Sequence, residues 1–200
     1  MGAPVSGPDG PRRRRRPGPP EGEVTVFVAD EQAAAEVDVT ALARLTEKVL
    51  DAEGVRGACE LSLYFVEEDV IADANERFLG GRGPTDVLAF PIDDETLDVG
   101  RSPDAGSSGP DRPLVDLGEV PVLLGDLLVC PAVAARNASE HGRPLPDELA
   151  LLVVHGILHV LGMDHTEAKG AAAMGGRQRD LLARFHPSTG EPPPDPEPAR

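Results

Sequence analysis

One stretch, His155 to His165 (HGILHVLGMDH), constrains this chain more than any other, because it gathers three of the five histidines in a 200-residue sequence. His155 and His159 lie four apart inside an almost unbroken apolar run from Leu149 to Leu161. Folded as a helix, that run puts both imidazoles on one face, one turn apart, where they can share an ion. Gly162 follows where a glycine usually ends a helix, since it adopts the left-handed conformation without a Cβ clash. The chain then turns back and offers His165 as a third ligand. Three neutral imidazoles with a fourth place left for water make the donor set of a catalytic Zn2+ site, one ion per chain. A structural zinc site is usually closed by a fourth protein ligand. An HxxxH pair alone would read as two satisfied core histidines, but a third histidine just past a helix stop has no packing rationale.

The spacing HxxxHxxGxxH is that of metzincin proteases, which carry a glutamate after the first histidine as general base. Gly156 occupies that place here and cannot accept a proton. No catalytic base is therefore assigned, and the chemistry is expected to fall to a metal-bound water of lowered pKa. Asp164 and Asp86 are the side chains that could assist it, though each also reads as a turn residue.

The body that holds this stretch must be aliphatic, since apolar residues are 40% of the sequence and aromatic ones only 3%. One domain with tails is the expected organisation. No apolar run reaches the length of a membrane span. Arg12 to Arg16 is followed by prolines and glycines where a signal peptide needs an apolar segment, so a cytoplasmic protein is expected. Cys59 and Cys130 have neither metal nor redox spacing and read as buried free thiols. The formal net charge is −16, and eight acids against Arg101 and Arg112 lie between Asp93 and Val120. A phosphate backbone is repelled by such a field, so nucleic-acid affinity would need a local basic patch or a partner complex.

Residues 1–22 and 187–200 are expected to be disordered tails around a domain at 23–186, in which 93–120 forms an acidic flexible insertion. Alternation predicts strands over Glu23–Asp30 and Cys59–Val66, and short apolar runs predict strands over Asp86–Phe90, stopped by Pro91, and Gly125–Cys130. Helical spacing predicts a helix through Leu42, Leu45, Val49 and Leu50, capped by Asp38 or Thr40, and another over Glu67–Leu79. Pro131 opens a helix reaching about His141, which reads as a C-terminal residue and not a ligand. Pro146, Asp147 and Glu148 open the histidine helix. Thr166 caps a last helix whose first half is weakened by Gly170, Gly175 and Gly176, leaving Leu181, Leu182 and Phe185 as its clear apolar face. This order implies an α/β or α+β sheet with helices packed on it.

Three ordered segments resemble the YbeY family of bacterial metal-dependent endoribonucleases. HGILHVLGMDH is similar to that family's HGxLHLxGxDH, PTDVLAFP at Pro84 to Pro91 is similar to its PTDVLSFP, and LLGDLLVC at Leu123 to Cys130 lies between them. The resemblance runs from about Val24 to Phe185. It implies a single compact α+β domain, a mixed sheet of about four strands with the metal in a cleft, and His155, His159 and His165 as ligands. It also implies single-stranded RNA as substrate and a role in 16S rRNA 3′ end maturation and ribosome quality control. The implied partners are rRNA and the small ribosomal subunit or its assembly factors, with neither DNA nor membrane. Family members commonly carry an arginine, expected to matter for catalysis, at the loop position of Leu79. Arg82, three residues on, would replace it in space, and Ala89 replaces the motif's serine. Two other readings stand beside this one: a protease-like zinc hydrolase, which Gly156 disfavours, and a non-enzymatic ribosome assembly factor whose zinc shapes a docking surface.

Overall fold

The structure, a computed structural model, describes residues 23–92, 121–163 and 168–187. The N-terminal tail, the acidic segment 93–120 and all of the C-terminal tail but Pro187 lie outside the described residues. The elements are β1 (Val24–Asp30), α1 (Val39–Ala52), β2 (Cys59–Phe65), α2 (Glu68–Ala74) with a π turn (Asn75–Leu79), β3 (Val87–Pro91), β4 (Val122–Val129), α3 (Pro131–Glu140), α4 (Leu145–Val160) and α5 (Ala168–Phe185). The strands form one mixed sheet in the order β1-β2-β4-β3, parallel except for β3, which runs antiparallel to β4 at the edge. Parallel neighbours need a long crossover, and α1 supplies it between β1 and β2. This is the α+β architecture that the pattern and the resemblance imply.

In β2, Cys59, Leu61, Leu63 and Phe65 are buried and alternate with half-exposed Glu60, Ser62 and Tyr64. One face of the sheet therefore builds the main core, with Leu45, Val49 and Leu50 of α1, Leu127 and Val129 of β4, and Val153, Val154 and Ile157 of α4. On the other face Val66, Ile71, Ala74, Leu88 and Cys130 form a smaller cluster. Cys59 and Cys130 are free and buried, and burial pushes both thiols up, away from the reactive thiolate. The α4 helix is apolar on nearly every side, and such a helix belongs in the middle of a fold. It packs against α1, α3, α5, β3 and β4 at once. Near its start Glu148 does more than favour the helix dipole. Its side chain is 4% exposed and is held by Arg143 at 2.6 Å.

Three boundaries differ from the sequence expectation, each for a local reason. The β4 strand begins at Val122 and not Gly125, because Leu124 bulges out of register between the pairs Glu60–Leu123 and Leu61–Gly125 and so hides the alternation. The helix expected to reach Leu79 is regular only to Ala74. Beyond it, the Asn75 amide donates to the Gly83 carbonyl at 3.0 Å and the Asn75 carbonyl accepts from Gly81 N–H, which draws the last turn open.

The third difference is α5, helical from Ala168 despite its glycines. Met174, Gln178 and Leu181 are buried at helical spacing against the core. Arg177 ties the helix to Glu53 at 2.6 Å, and His186, just past its end, meets Asp147 at 2.7 Å. Tertiary packing overrides the weak intrinsic preference of the glycines. Among the described residues, no helix is long and apolar enough to cross a membrane.

A Cβ added at Gly176 would meet nothing within 4 Å. Gly176→Ala is accordingly expected to stabilise the protein by about 0.5–1 kcal/mol in urea unfolding, through the reduced backbone entropy of the unfolded chain. A loss of stability would mean that α5 is not helical there.

Candidate metal centre

The depth of α4 is set by what it lacks. A Cβ at Gly156 would lie 2.8 Å from Cδ2 of fully buried Leu127, so a side chain there would force Leu127 to shift, and glycine lets the helix rest this close on β4. One turn on, Val160 is so near the sheet that a Cβ at Gly125 would come within 3.2 Å of its Cγ1. With positions 156 and 160 against the strands, His155 and His159 are turned about 100° away, toward α5.

There the two imidazoles meet edge to face, ring centres 4.7 Å apart, with Nε2 of His155 3.1 Å from Nε2 of His159. Two nitrogens bound to one tetrahedral zinc at about 2.0–2.1 Å would be about 3.3 Å apart, so the pair fits a shared ion. The same separation suits a direct N–H···N hydrogen bond between the two rings. On its other side His155 Nδ1 is 3.0 Å from Oε1 of Gln178, a residue 7% exposed. An amide oxygen only accepts, so Nδ1 carries the proton and Nε2 presents its lone pair toward His159.

The helix stops as the sequence predicts. Gly162 has φ +84°, its N–H donates to the His159 carbonyl at 2.9 Å, and Met163 N–H donates to the Leu158 carbonyl at 2.9 Å. This paired bonding is the Schellman motif, closed by Met163 packing on the core. Asp164 and His165, which follow, lie outside the described residues. Among the described residues, no group of three or more His, Cys, Asp or Glu side chains converges to hold a metal. The structure thus brings together two of the three expected ligands.

The other candidates are placed elsewhere in the fold. The Asp86 carboxylate accepts from Val87 N–H at 2.9 Å, Asn137 Nδ2 at 3.0 Å and the Thr85 hydroxyl at 3.2 Å, holding the start of β3 to α3. Arg82 is exposed at the tip of the loop that Asn75 ties down, and it forms no ion pair among the described residues. Leu79 ends the π turn and is 64% exposed. Arg77, on the same turn, pairs with exposed Asp73 at 3.3 Å and lies over the Phe78 ring. His141 caps α3 at the surface, and His186 serves Asp147. Gln178 belongs to no motif. The signal that could have found it is its position on the buried stripe of Met174 and Leu181, where a polar residue is out of place.

Fold and site together define a small α+β protein whose central helix offers a histidine pair at ion-sharing distance. The profile of a family described as endoribonuclease YbeY matches residues 27–186. The endoribonuclease YbeY of Salinispora tropica is 41% identical over 162 residues, 81% of this chain and 96% of that protein. Those of Saccharopolyspora erythraea and Frankia casuarinae are 40% and 43% identical over the same share of this chain, and over 81% and 75% of their own lengths. The chain belongs to the endoribonuclease YbeY family.

Because Leu127 is fully buried, it has little room to yield to a methyl group at position 156. Gly156→Ala is expected to cost about 1–3 kcal/mol by overpacking, read as a lower urea midpoint, and Gly156→Glu more. An alanine variant as stable as the wild type would show that α4 does not rest this closely on β4.

Proposed function

We propose that this chain is a zinc-dependent endoribonuclease preferring single-stranded RNA, acting in the cytoplasm on rRNA, in 16S rRNA 3′ end maturation and ribosome quality control. The observation that carries this reading is the His155–His159 pair, two ring nitrogens 3.1 Å apart on the buried helix of a chain whose relatives are named endoribonucleases. His155, His159 and His165 would hold one zinc ion, which when bound supplies Lewis acidity toward a phosphodiester and its attacking water.

The chain's own residues do the rest. Asp164, beside His165, would orient that ligand. Arg82, exposed and without an ion pair among the described residues, would meet an RNA phosphate in place of the arginine absent at Leu79, with Arg77 as a second cation on the neighbouring turn. Asp86 is assigned to holding β3 and α3 together, because three donors already engage its carboxylate. With a net charge of −16, the isolated chain is expected to bind RNA weakly and to gain affinity on the small ribosomal subunit or with assembly factors. The protease reading is weakened further, since a glutamate at position 156 would be driven into Leu127 instead of toward the histidines.

The test is cleavage of an end-labelled single-stranded RNA by the purified protein. Chelation is expected to abolish cleavage and added zinc to restore it. His159→Ala should lose at least about 100-fold in rate, because the Lewis acid is worth several kcal/mol. Equal cleavage by a triple His155, His159 and His165→Ala variant would remove the enzyme assignment. A folded His159→Ala protein that still joins small subunits, with no cleavage even by the wild type, would favour the assembly-factor reading.

A further inference from the structure

We propose that Gln178 is a positioning residue for this metal centre, holding His155 in the tautomer whose Nε2 lone pair faces His159. The inference rests on the zinc reading above but concerns a residue of α5 that belongs to none of the three family-like segments.

Three observations converge on it. The first is the contact itself: Oε1 of Gln178 lies 3.0 Å from Nδ1 of His155. The second is the cost of placing an amide there. Gln178 is 7% exposed and shares a buried stripe with Met174 and Leu181, each 2% exposed or less, so a leucine would bury more apolar surface at no polar penalty. The hydrogen bond to His155 is what offsets that penalty.

The third is that the contact is held in register. Asp147 lies eight residues before His155 on α4, and His186 lies eight residues after Gln178 at the far end of α5. The pairs Asp147–His186 and His155–Gln178 therefore belong to one antiparallel alignment of the two helices, fixed about 12 Å apart. Arg177, next to Gln178, is anchored by Glu53 and the Ala52 carbonyl on α1.

The chemistry explains why such a hold matters. A neutral histidine left to itself favours the tautomer with the proton on Nε2, which would turn the metal-facing nitrogen into a donor. An acceptor at Nδ1 reverses that preference before any ion arrives. A glutamate at 178 would do the same, whereas leucine or methionine would not.

The experiment uses the full chain with nitrogen NMR of the histidine rings in the metal-free protein, and zinc affinity by competition with a chromogenic chelator. Wild type and Gln178→Glu are expected to hold the proton of His155 on Nδ1 and to bind zinc comparably. Gln178→Leu should shift the proton toward Nε2 and weaken zinc about 10- to 100-fold. Gln178→Met replaces it should leucine disturb the fold by circular dichroism. Unchanged tautomer and affinity in the leucine variant, with normal zinc uptake by the wild type, would overturn the role of Gln178 and leave the metal centre standing. A wild type that takes up no zinc, while the leucine variant still moves the His155 proton, would overturn the metal centre and support the hold of Gln178 on the ring.

Discussion

The close seating of α4 on the sheet is the constraint from which the site follows. Gly156 against Leu127 and Val160 against Gly125 leave the helix one rotation about its axis. A helix free to roll could satisfy its many apolar side chains in several orientations, because nearly every face of α4 is hydrophobic. The absence of a side chain at one position decides among them. Two histidines are then left on the flank that faces α5, where their nitrogens converge.

The second constraint is polar and acts between helices. Asp147 with His186 and Glu53 with Arg177 hold α5 against α4 and α1, and Glu148 with Arg143 fixes the entry to α4. Pairs that keep part of their contact with water contribute modestly to stability. Arg143–Glu148 is largely removed from water, so losing one partner would strand a charge. Their larger effect here is on register, since they align a glycine-bearing helix that intrinsic propensity alone would leave uncertain.

An acidic chain, with a net charge of −16, has to localise any attraction for the RNA proposed as its substrate. Arg77 stands on a turn that departs from regular helix, Arg82 on the loop that follows it, and π turns recur at functional sites. The loop beyond is tied back by Asn75, which gives Arg82 a fixed base while leaving its side chain in solvent.

Much of this molecule was legible in its residues. Asp38 caps α1 with a bond to Ala41 N–H, Gly162 turns α4 off, Pro131 begins α3, and β1 and β2 lie where alternation puts them. These features depend on neighbours in sequence, so local chemistry is enough to read them, and the spacing of His155 and His159 belongs with them. The bulge at Leu124, the π turn and the first half of α5 were decided by contacts between distant segments, which no local pattern encodes. Strand order, the rotation of α4 and the approach of Gln178 to His155 are of the same kind. A histidine can be found from its spacing, but which of its nitrogens carries the proton depends on a helix that arrives from elsewhere in the fold.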